Sequence, residues 1–226
     1  MQSILTAEVA EKFLADEYGV HLEDFQFLAD DAAVILARHH VGDDPFSPSL
    51  DLSGLQSLSE ESATALSRYE GPSLRLSGLR QLSPQIAAIL ATFRGSLVLD
   101  GLEELTPETG KSLSMHGCYL SLRGLRSLDE DSAKALSTHG SLVSLRIPRI
   151  SQEVGRILAT YPSIEIFLTS SEENSEPQYG DPNRIRVCLE IHGYKNAWIV
   201  LGECFLSEYP DLFRTVHQFA KDLGFE

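Results

Sequence analysis

The sequence predicts an α/β solenoid, in which parallel strands line one face and helices line the other. Three observations predict it. A block of about 23 residues repeats along most of the chain, each block opens on a leucine-x-leucine triplet, and a helix-start signal follows each triplet. A fixed period of this size is typical of chains whose units bury apolar surface only against their neighbours.

Each block is expected to begin with a short strand. The two leucines of a triplet face one side of the strand and the residues around them face the other, so successive strands can stack as a parallel sheet. The triplets begin at Leu50, Leu74, Leu97 and Leu120, and a degenerate copy of the block begins at Val143. A glycine two residues after the second leucine indicates a tight turn or a close approach of backbone, either of which disfavours a Cβ. These glycines are Gly54, Gly78, Gly101 and Gly124.

Each block then continues with a helix. Side chains that can accept hydrogen bonds from first-turn N–H groups stand where the helices should begin. They are Ser59, Ser83, Thr106, Asp129 and Ser151. Pro84 and Pro107 occupy the helix position that tolerates proline best, and acidic residues crowd the same turns, as the helix dipole favours. Pairs such as Ala63 and Leu66 form the inward stripe. Glycines are expected to close the helices, at Gly71, Gly95, Gly117 and Gly140.

Two further copies precede the regular blocks. The first is expected to have its strand at Val20–Leu22, offset by about thirty residues from the first regular block, with the excess taken up by an insertion at 41–49. The second is only the helical half of a block, over residues 6–13, and this helix is expected to cap the N-terminal end. Downstream, residues 164–168 supply one last strand.

The blocks, of the form LxLxGLxxLSxExAxxLAxHxG, resemble the leucine-rich-repeat superfamily, in particular a variant of bacterial repeat proteins. The resemblance covers roughly residues 3–168. The sequence departs from the commonest pattern of the family in having glycine near the place where an asparagine usually follows the strand. The resemblance implies a non-enzymatic scaffold for protein interactions, because most members bind other macromolecules and few carry an active site.

The domain organisation follows from where the repeat ends. Residues 1–168 form the repeat region with its N-terminal helical cap, the polar stretch 169–183 is a linker, and residues 184–226 form a C-terminal ββα module. Alternating apolar residues at 185–191 and an apolar run at 198–201 predict a hairpin, and residues 210–223 predict an amphipathic helix. A module of about forty residues is small for an independent core. It either caps the open end of the solenoid or docks on a partner, including a second copy of the chain.

Composition limits the class of protein. The 226-residue chain is 42% hydrophobic and carries a net charge of −15. It has no apolar run long enough to span a membrane and no recognisable signal peptide, so a bacterial-type cytoplasmic location is expected. Three scattered cysteines, at 118, 188 and 204, indicate neither a disulfide framework nor a metal-binding pair. The acidity argues against nucleic-acid binding, which needs a concentrated basic surface.

The outward face of the sheet is the predicted binding surface. It is shallow and mixed in charge, which suits a protein better than a small ligand. One column runs along Asp51, Arg75, Val98, Ser121 and Ser144, and the next along Ser53, Ser77, Asp100, Arg123 and Arg146. We expect the arginines of the two columns to contact an acidic partner, with Asp51 and Asp100 on the same surface. The alternative is that all of them are ordinary solvated strand residues.

Trp198 and Phe213 are the predicted contacts of the C-terminal module. The alternative is that both are buried in the core of the module itself.

Rings recur three residues after the last leucine of each helix, at His39, Tyr69, Phe93, His116, His139 and Tyr161. A column of rings packed against the turn glycines is a structural ladder. It accounts for the histidines better than a metal site does, because His116 and His139 lack a third ligand other than Cys118. No cofactor is expected.

No catalytic motif of a serine hydrolase, P-loop or zinc-protease type occurs, and the serines at helix starts are explained as caps. Cys188 and His192 share a face of one predicted strand and would act as nucleophile and base only within a pocket. A deep pocket holding both would favour an enzyme whose site lies between the repeat region and the C-terminal module. Beside this option, two functional classes remain. The preferred one is an adaptor; the alternative is an acidic inhibitor of immunity type, which blocks the basic active site of a toxin or nuclease. Acids clustered on one face, rather than around helix starts, would favour inhibition.

Overall fold

A computed structural model describes residues 3–39, 49–147, 151–159, 163–169, 186–192 and 196–200. Within these ranges the chain is an α/β protein in which parallel strands alternate with helices. The ring predicted at Tyr161, the contact predicted at Phe213 and the helix predicted over 210–223 lie outside the described residues.

The N-terminal region forms a two-stranded parallel sheet with two helices. Strand β1 (Ile4–Leu5) pairs with β2 (Phe27–Leu28), and the helices are α1 (Ala7–Ala15) and α2 (Asp30–Leu36). The strand predicted at Val20–Leu22 was wrong, because this stretch leads into a 3-10 helix at Leu22–Asp24. The N–H groups of Gln26 and Phe27 donate to the Ser3 carbonyl, so strand pairing begins only after the predicted site.

The main sheet is parallel from β3 to β8, and its strands follow one another in chain order. Corresponding triplet residues pair across it, as Leu50 does with Leu74 and Leu97 with Leu120. The prediction of stacked parallel strands is therefore confirmed. The strands are β3 (Leu50–Asp51), β4 (Ser73–Arg75), β5 (Ser96–Val98), β6 (Leu120–Leu122), β7 (Val143–Ile147) and β8 (Ser163–Thr169).

Helices alternate with these strands and begin where the capping residues predict. They are α3 (Glu60–Leu66), α4 (Pro84–Leu90), α5 (Pro107–Leu113), α6 (Glu130–Leu136) and α7 (Gln152–Ala159). Each predicted cap accepts a hydrogen bond from the third residue beyond it, which satisfies a first-turn N–H group. The bonds run from Ser62 N to Ser59 Oγ (2.9 Å), Ile86 N to Ser83 Oγ (3.2 Å), Thr109 N to Thr106 Oγ1 (3.2 Å), Ser132 N to Asp129 Oδ1 (2.7 Å) and Val154 N to Ser151 Oγ (3.1 Å).

The helices end earlier than the glycines predict. Helix α3 ends at Leu66 with a right-handed residue after it, and Gly71 comes five residues after the last helical one. Gly71 is needed for space rather than for helix termination, because a Cβ there would lie 2.0 Å from Tyr69 Oη. Gly95 has the same role, since its Cβ would lie 2.6 Å from Phe93 Cζ. The predicted closing role was therefore wrong, whereas the predicted packing of rings against turn glycines is confirmed at these two positions.

The core lies between the sheet and the helices. Both leucines of the β4 triplet, Leu74 and Leu76, are fully buried, and so are Ala87 and Leu90 on the inward stripe of α4. The same positions are buried in the neighbouring units, which form one continuous core cluster. Since burying a leucine contributes roughly 1.5–3 kcal/mol, the repeated leucines are the principal source of the stability of the fold.

The units stack so closely that no side chain fits after the strand. A Cβ on Gly101 would lie 1.8 Å from the Ser77 carbonyl oxygen, and one on Gly124 would lie 1.8 Å from the Asp100 carbonyl oxygen. Both distances are far below van der Waals contact. The predicted close approach of backbone is confirmed, and it explains why glycine stands in this column.

Two antiparallel strands extend the sheet beyond β8. Strand β9 (Arg186–His192) pairs with β8, and β10 (Asn196–Val200) pairs with β9. These are the two strands of the predicted hairpin. Thr169, the first residue of the predicted linker, belongs to β8 and pairs with Arg186. In the part of the chain that the structure describes, no helix has the length and apolar content needed to cross a bilayer.

Candidate functional site

The outer face of the sheet carries the predicted contact residues, and the first pair lies at its β3 end. Asp51 and Arg75 are paired in register on β3 and β4, with 3.7 Å between Asp51 Oδ2 and Arg75 Nε. The other carboxylate oxygen of Asp51 accepts a hydrogen bond from Ser53 N at 3.0 Å. Both charged side chains are about half exposed. Because the side chains are exposed, both groups are accessible to a partner. An exposed ion pair of this length also adds little stability to the fold, so a partner could replace it at low cost.

Asp100 and Arg123 are bound into the sheet. Asp100 Oδ1 accepts hydrogen bonds from Ser121 Oγ at 2.6 Å and from Arg123 N at 2.9 Å. Arg123 Nε donates to Ser144 Oγ at 2.8 Å. Ser121 and Ser144 are only 2% and 0% exposed, which corrects the expectation that their whole column faces solvent. The longer side chains of the neighbouring column lie over them, so Asp100 and Arg123 support the surface as well as forming it.

Arg146 and Trp198 complete the predicted residues that the structure describes. Arg146, on β7, is half-buried and pairs in register with Phe167. Trp198 lies on β10, opposite Glu190 of β9, and the surroundings of its side chain are outside the described residues. The structure therefore places Arg75, Arg123 and Arg146 on one sheet, and Trp198 on the strand farthest from β3.

A second row of charged groups, which the sequence reading missed, lies in the turns after the strands. Arg80 Nη1 is 2.6 Å from Glu103 Oε1, and Arg126 Nη2 is 2.9 Å from Glu103 Oε2. The two arginine side chains are 77% and 69% exposed, and Glu103 is 29% exposed. We name this group the Arg80–Glu103–Arg126 bridge. The signal for it was in the repeat register, because all three residues come two positions after the turn glycine.

Backbone hydrogen bonds fix the bridge. Glu103 N donates to the Arg80 carbonyl at 3.4 Å, and Arg126 N donates to the Glu103 carbonyl at 3.0 Å. The turns are thus linked from unit to unit just as the strands are. Side chains on such a linked row keep a constant spacing, which favours recognition of a partner by a preformed surface.

Many of the acidic residues that the structure describes lie at helix starts. Glu60, Glu61, Glu108, Glu130 and Asp131 all occupy first turns. Asp30, in the first turn of α2, accepts hydrogen bonds from Ser59 Oγ at 2.5 Å and Ser62 Oγ at 2.7 Å, and these two bonds lower the pKa of its carboxyl. The helix dipole and these caps explain the acids locally.

The predicted ring ladder is confirmed, and Phe13 extends it at one end. Centroids of successive rings are 5.3 Å (Phe13 to His39), 6.2 Å (His39 to Tyr69), 6.1 Å (Tyr69 to Phe93), 6.5 Å (Phe93 to His116) and 6.1 Å (His116 to His139) apart. All these rings are buried. Burial lowers the pKa of both His116 and His139, so their neutral forms are favoured. Burial and the charge of Glu17 raise the pKa of Tyr69 to about 12.

Neither a metal centre nor a catalytic pair emerges from the described residues. They contain no group of three or more His, Cys, Asp or Glu side chains that could hold a metal ion. Cys118 Sγ donates to the Arg94 carbonyl at 3.1 Å. Cys188 and His192 both lie on β9, in register with Phe167 and Ser163, and their side chains are outside what the structure describes.

On the helix side, a shallow groove of about 410 Å³ lies between α2, α3 and α4. Its lining includes the apolar residues Val34, Ala65 and Ile89 and the charged residues Glu60 and Arg68. Because the groove is open, it would leave much of a small ligand in water, unlike a typical small-molecule site.

Comparison with known proteins gave no relative. No protein-family model, curated protein or solved structure matches this chain.

Proposed function

We propose that this chain is a leucine-rich-repeat-like solenoid that acts as a non-enzymatic scaffold and binds a protein partner through the outer face of its sheet. The observation that carries the proposal is the set of charged side chains held in rows across β3 to β7 and the turns that follow. These include Arg75, Asp100, Arg123 and the Arg80–Glu103–Arg126 bridge.

The shape of the surface supports a macromolecular partner. Strands in a sheet lie about 4.8 Å apart, so a row across five strands presents charged groups along roughly 20 Å. A protein surface can meet such a row, whereas a small ligand would leave most of it in water. Hydrogen bonds between units hold the row in place, which lowers the entropic cost of binding.

The C-terminal module is the second proposed contact. Residues 184–226 either cap the end of the repeat region or bind a partner, which includes a second copy of the chain. The pairing of β9 with β8 supports the capping role, because it joins the hairpin to the last parallel strand. Trp198 and Phe213 remain the predicted contacts if this module binds a partner.

The alternative of an acidic inhibitor receives less support. The net charge of −15 is the sequence feature that suggested an inhibitor. Many of the acidic residues, however, occupy the first turns of helices, where the helix dipole favours negative charge. The sheet face itself carries both arginines and carboxylates. A surface of mixed charge is poorly suited to fill a strongly basic active site.

The test is partner capture with two matched full-length variants. Val98→Glu places a carboxylate at the centre of the sheet face, where Val98 is half-buried on β5, and this charge repels an acidic partner. Ala88→Glu makes the same addition at an exposed position of α4. We expect tagged wild-type chain and Ala88→Glu to retain the same proteins from a lysate of the native host, and Val98→Glu to lose them. Equal retention by both variants would exclude the sheet face as the binding surface.

A further inference from the structure

We propose that the turns after β4, β5 and β6 form a binding site for an acidic protein segment, with the guanidinium groups of Arg80 and Arg126 as its anchors. This inference rests on the proposed function, because it names the chemistry of the partner that the scaffold binds. It concerns residues that lie beside the strand columns rather than within them.

The bridge positions two guanidinium groups at a fixed separation. Both pair with the same carboxylate, one with each oxygen of Glu103. Their backbones lie on turns two units apart, linked through Glu103 by hydrogen bonds. Two steps across a sheet correspond to about 10 Å. Glu103 thus acts as a positioning residue that keeps both side chains in one orientation.

Each guanidinium retains donors for a second acceptor. Arginine has five N–H donors in a planar fork, and the contact with Glu103 is made by one terminal nitrogen of each side chain. The side chains of Arg80 and Arg126 are 77% and 69% exposed, so their outer edges face solvent. A carboxylate from a partner fits such an edge with two parallel hydrogen bonds.

The charge distribution around the bridge is positive on two units. Segments 73–82 and 120–128 each contain two arginines and no acidic residue. The intervening segment 96–105 carries three acidic residues, Asp100, Glu103 and Glu104. The three segments together thus hold four arginines against three carboxylates, a net charge of +1, in a chain of net charge −15. This small local excess of positive charge favours an anionic group over a cationic one at these turns.

An extended acidic segment fits this site better than nucleic acid does. Phosphate backbones need a continuous basic surface, and here Glu104 lies beside the bridge and the helix starts are acidic. Residues of an extended chain rise about 3.3 Å each and their side chains alternate between two faces. Carboxylates two residues apart therefore lie about 7 Å apart on one face and would reach both arginines, which converge on Glu103.

The experiment measures binding of a fluorescein-labelled 12-residue peptide rich in glutamate, by fluorescence anisotropy with the full chain at low salt. A peptide with glutamine in place of every glutamate is the control ligand. The variants are Arg80→Gln/Arg126→Gln and, as a matched control, Arg68→Gln, which removes an exposed guanidinium from the helix side. Thermal unfolding of each variant verifies that it folds.

We expect the glutamate peptide to bind, added salt to weaken it, and the glutamine peptide to bind far less. The double variant should raise the Kd by about tenfold, as expected for loss of two exposed charge pairs, whereas Arg68→Gln should leave it unchanged. Equal affinity in the double variant and Arg68→Gln would overturn the proposal. The proposal would also be overturned if a single-stranded oligonucleotide bound more tightly than the glutamate peptide and the double variant abolished that binding. The arginines would then be phosphate-binding residues.

Partner capture separates this proposal from the proposed function. If Arg80→Gln/Arg126→Gln retains the captured partner and Val98→Glu loses it, the scaffold function stands and the acidic-segment site is wrong. If the double variant and Val98→Glu both retain the partner, the sheet-face function itself is contradicted.

Discussion

Replacing Gly101 by alanine tests the stacking of the units most sharply. The new Cβ would lie 1.8 Å from the Ser77 carbonyl oxygen and 2.9 Å from the Leu79 carbonyl oxygen. An ordinary carbon–oxygen contact is about 3.3 Å, so one unit must shift by about 1.5 Å against its neighbour. Both obstacles are backbone atoms, which cannot rotate out of the way as a side chain can.

The expected loss of stability is large because the shift would disturb the sheet on both sides of Gly101. Overpacking a rigid core costs about 1–3 kcal/mol, and a backbone clash belongs at the upper end, so we expect a loss of about 3 kcal/mol. The φ angle of Gly101 lies outside the left-handed region. The cost is therefore steric and does not come from backbone strain.

Gly117 provides the matched control. A Cβ there meets nothing within 4 Å, and its φ angle also lies outside the left-handed region. Gly117→Ala should be neutral or stabilise by up to about 1 kcal/mol through reduced freedom of the unfolded chain. The assay is urea unfolding followed by far-UV circular dichroism. Free energies of unfolding for the two variants that agree within about 0.5 kcal/mol would refute the close approach of the units.

Three further predictions concern the ladder and the caps. Tyr69→Phe removes a buried hydroxyl that has no hydrogen-bond partner from a column in which the next ring is already phenylalanine, so the free energy of unfolding should stay equal or rise; a loss above about 1 kcal/mol would contradict this. Asp129→Ala removes the α6 cap and should cost about 1 kcal/mol in urea unfolding, whereas the exposed Asp131→Ala should cost less. Burial lowers the pKa of His116, so below pH 6.5 the unfolded chain binds protons that the folded chain does not, and stability should fall as the pH drops from 7 to 5. His116→Phe should make that fall shallower, and an unchanged slope in pH-dependent thermal unfolding would contradict the assignment.

Local features were predictable from the sequence because they depend on neighbours within one unit. The alternating leucines predicted the strands. Capping residues such as Ser59 and Asp129, each followed by acidic residues, predicted where the helices begin. The ring ladder was predictable too, because the repeat register itself places one ring in each unit.

Features that depend on contacts between units were harder to predict. The hydrogen bond from Gln26 N to the Ser3 carbonyl joins two segments far apart in the sequence, and strand pairing follows it at Phe27–Leu28 and not at the predicted Val20–Leu22. Gly71 looked like a helix terminator, but its role depends on the ring of Tyr69 folding back over it. The Arg80–Glu103–Arg126 bridge joins three units, and its residues become one group only when the turns stack.

The central claim is that the outer sheet face is where a partner binds, and hydrogen exchange of the full chain with and without the captured partner tests it most directly. We predict slower exchange in the partner complex at residues 73–82, 96–105 and 120–128, with helices α3 to α6 unchanged. Protection confined to those helices, with the strand and turn segments exchanging as in the free chain, would contradict the account.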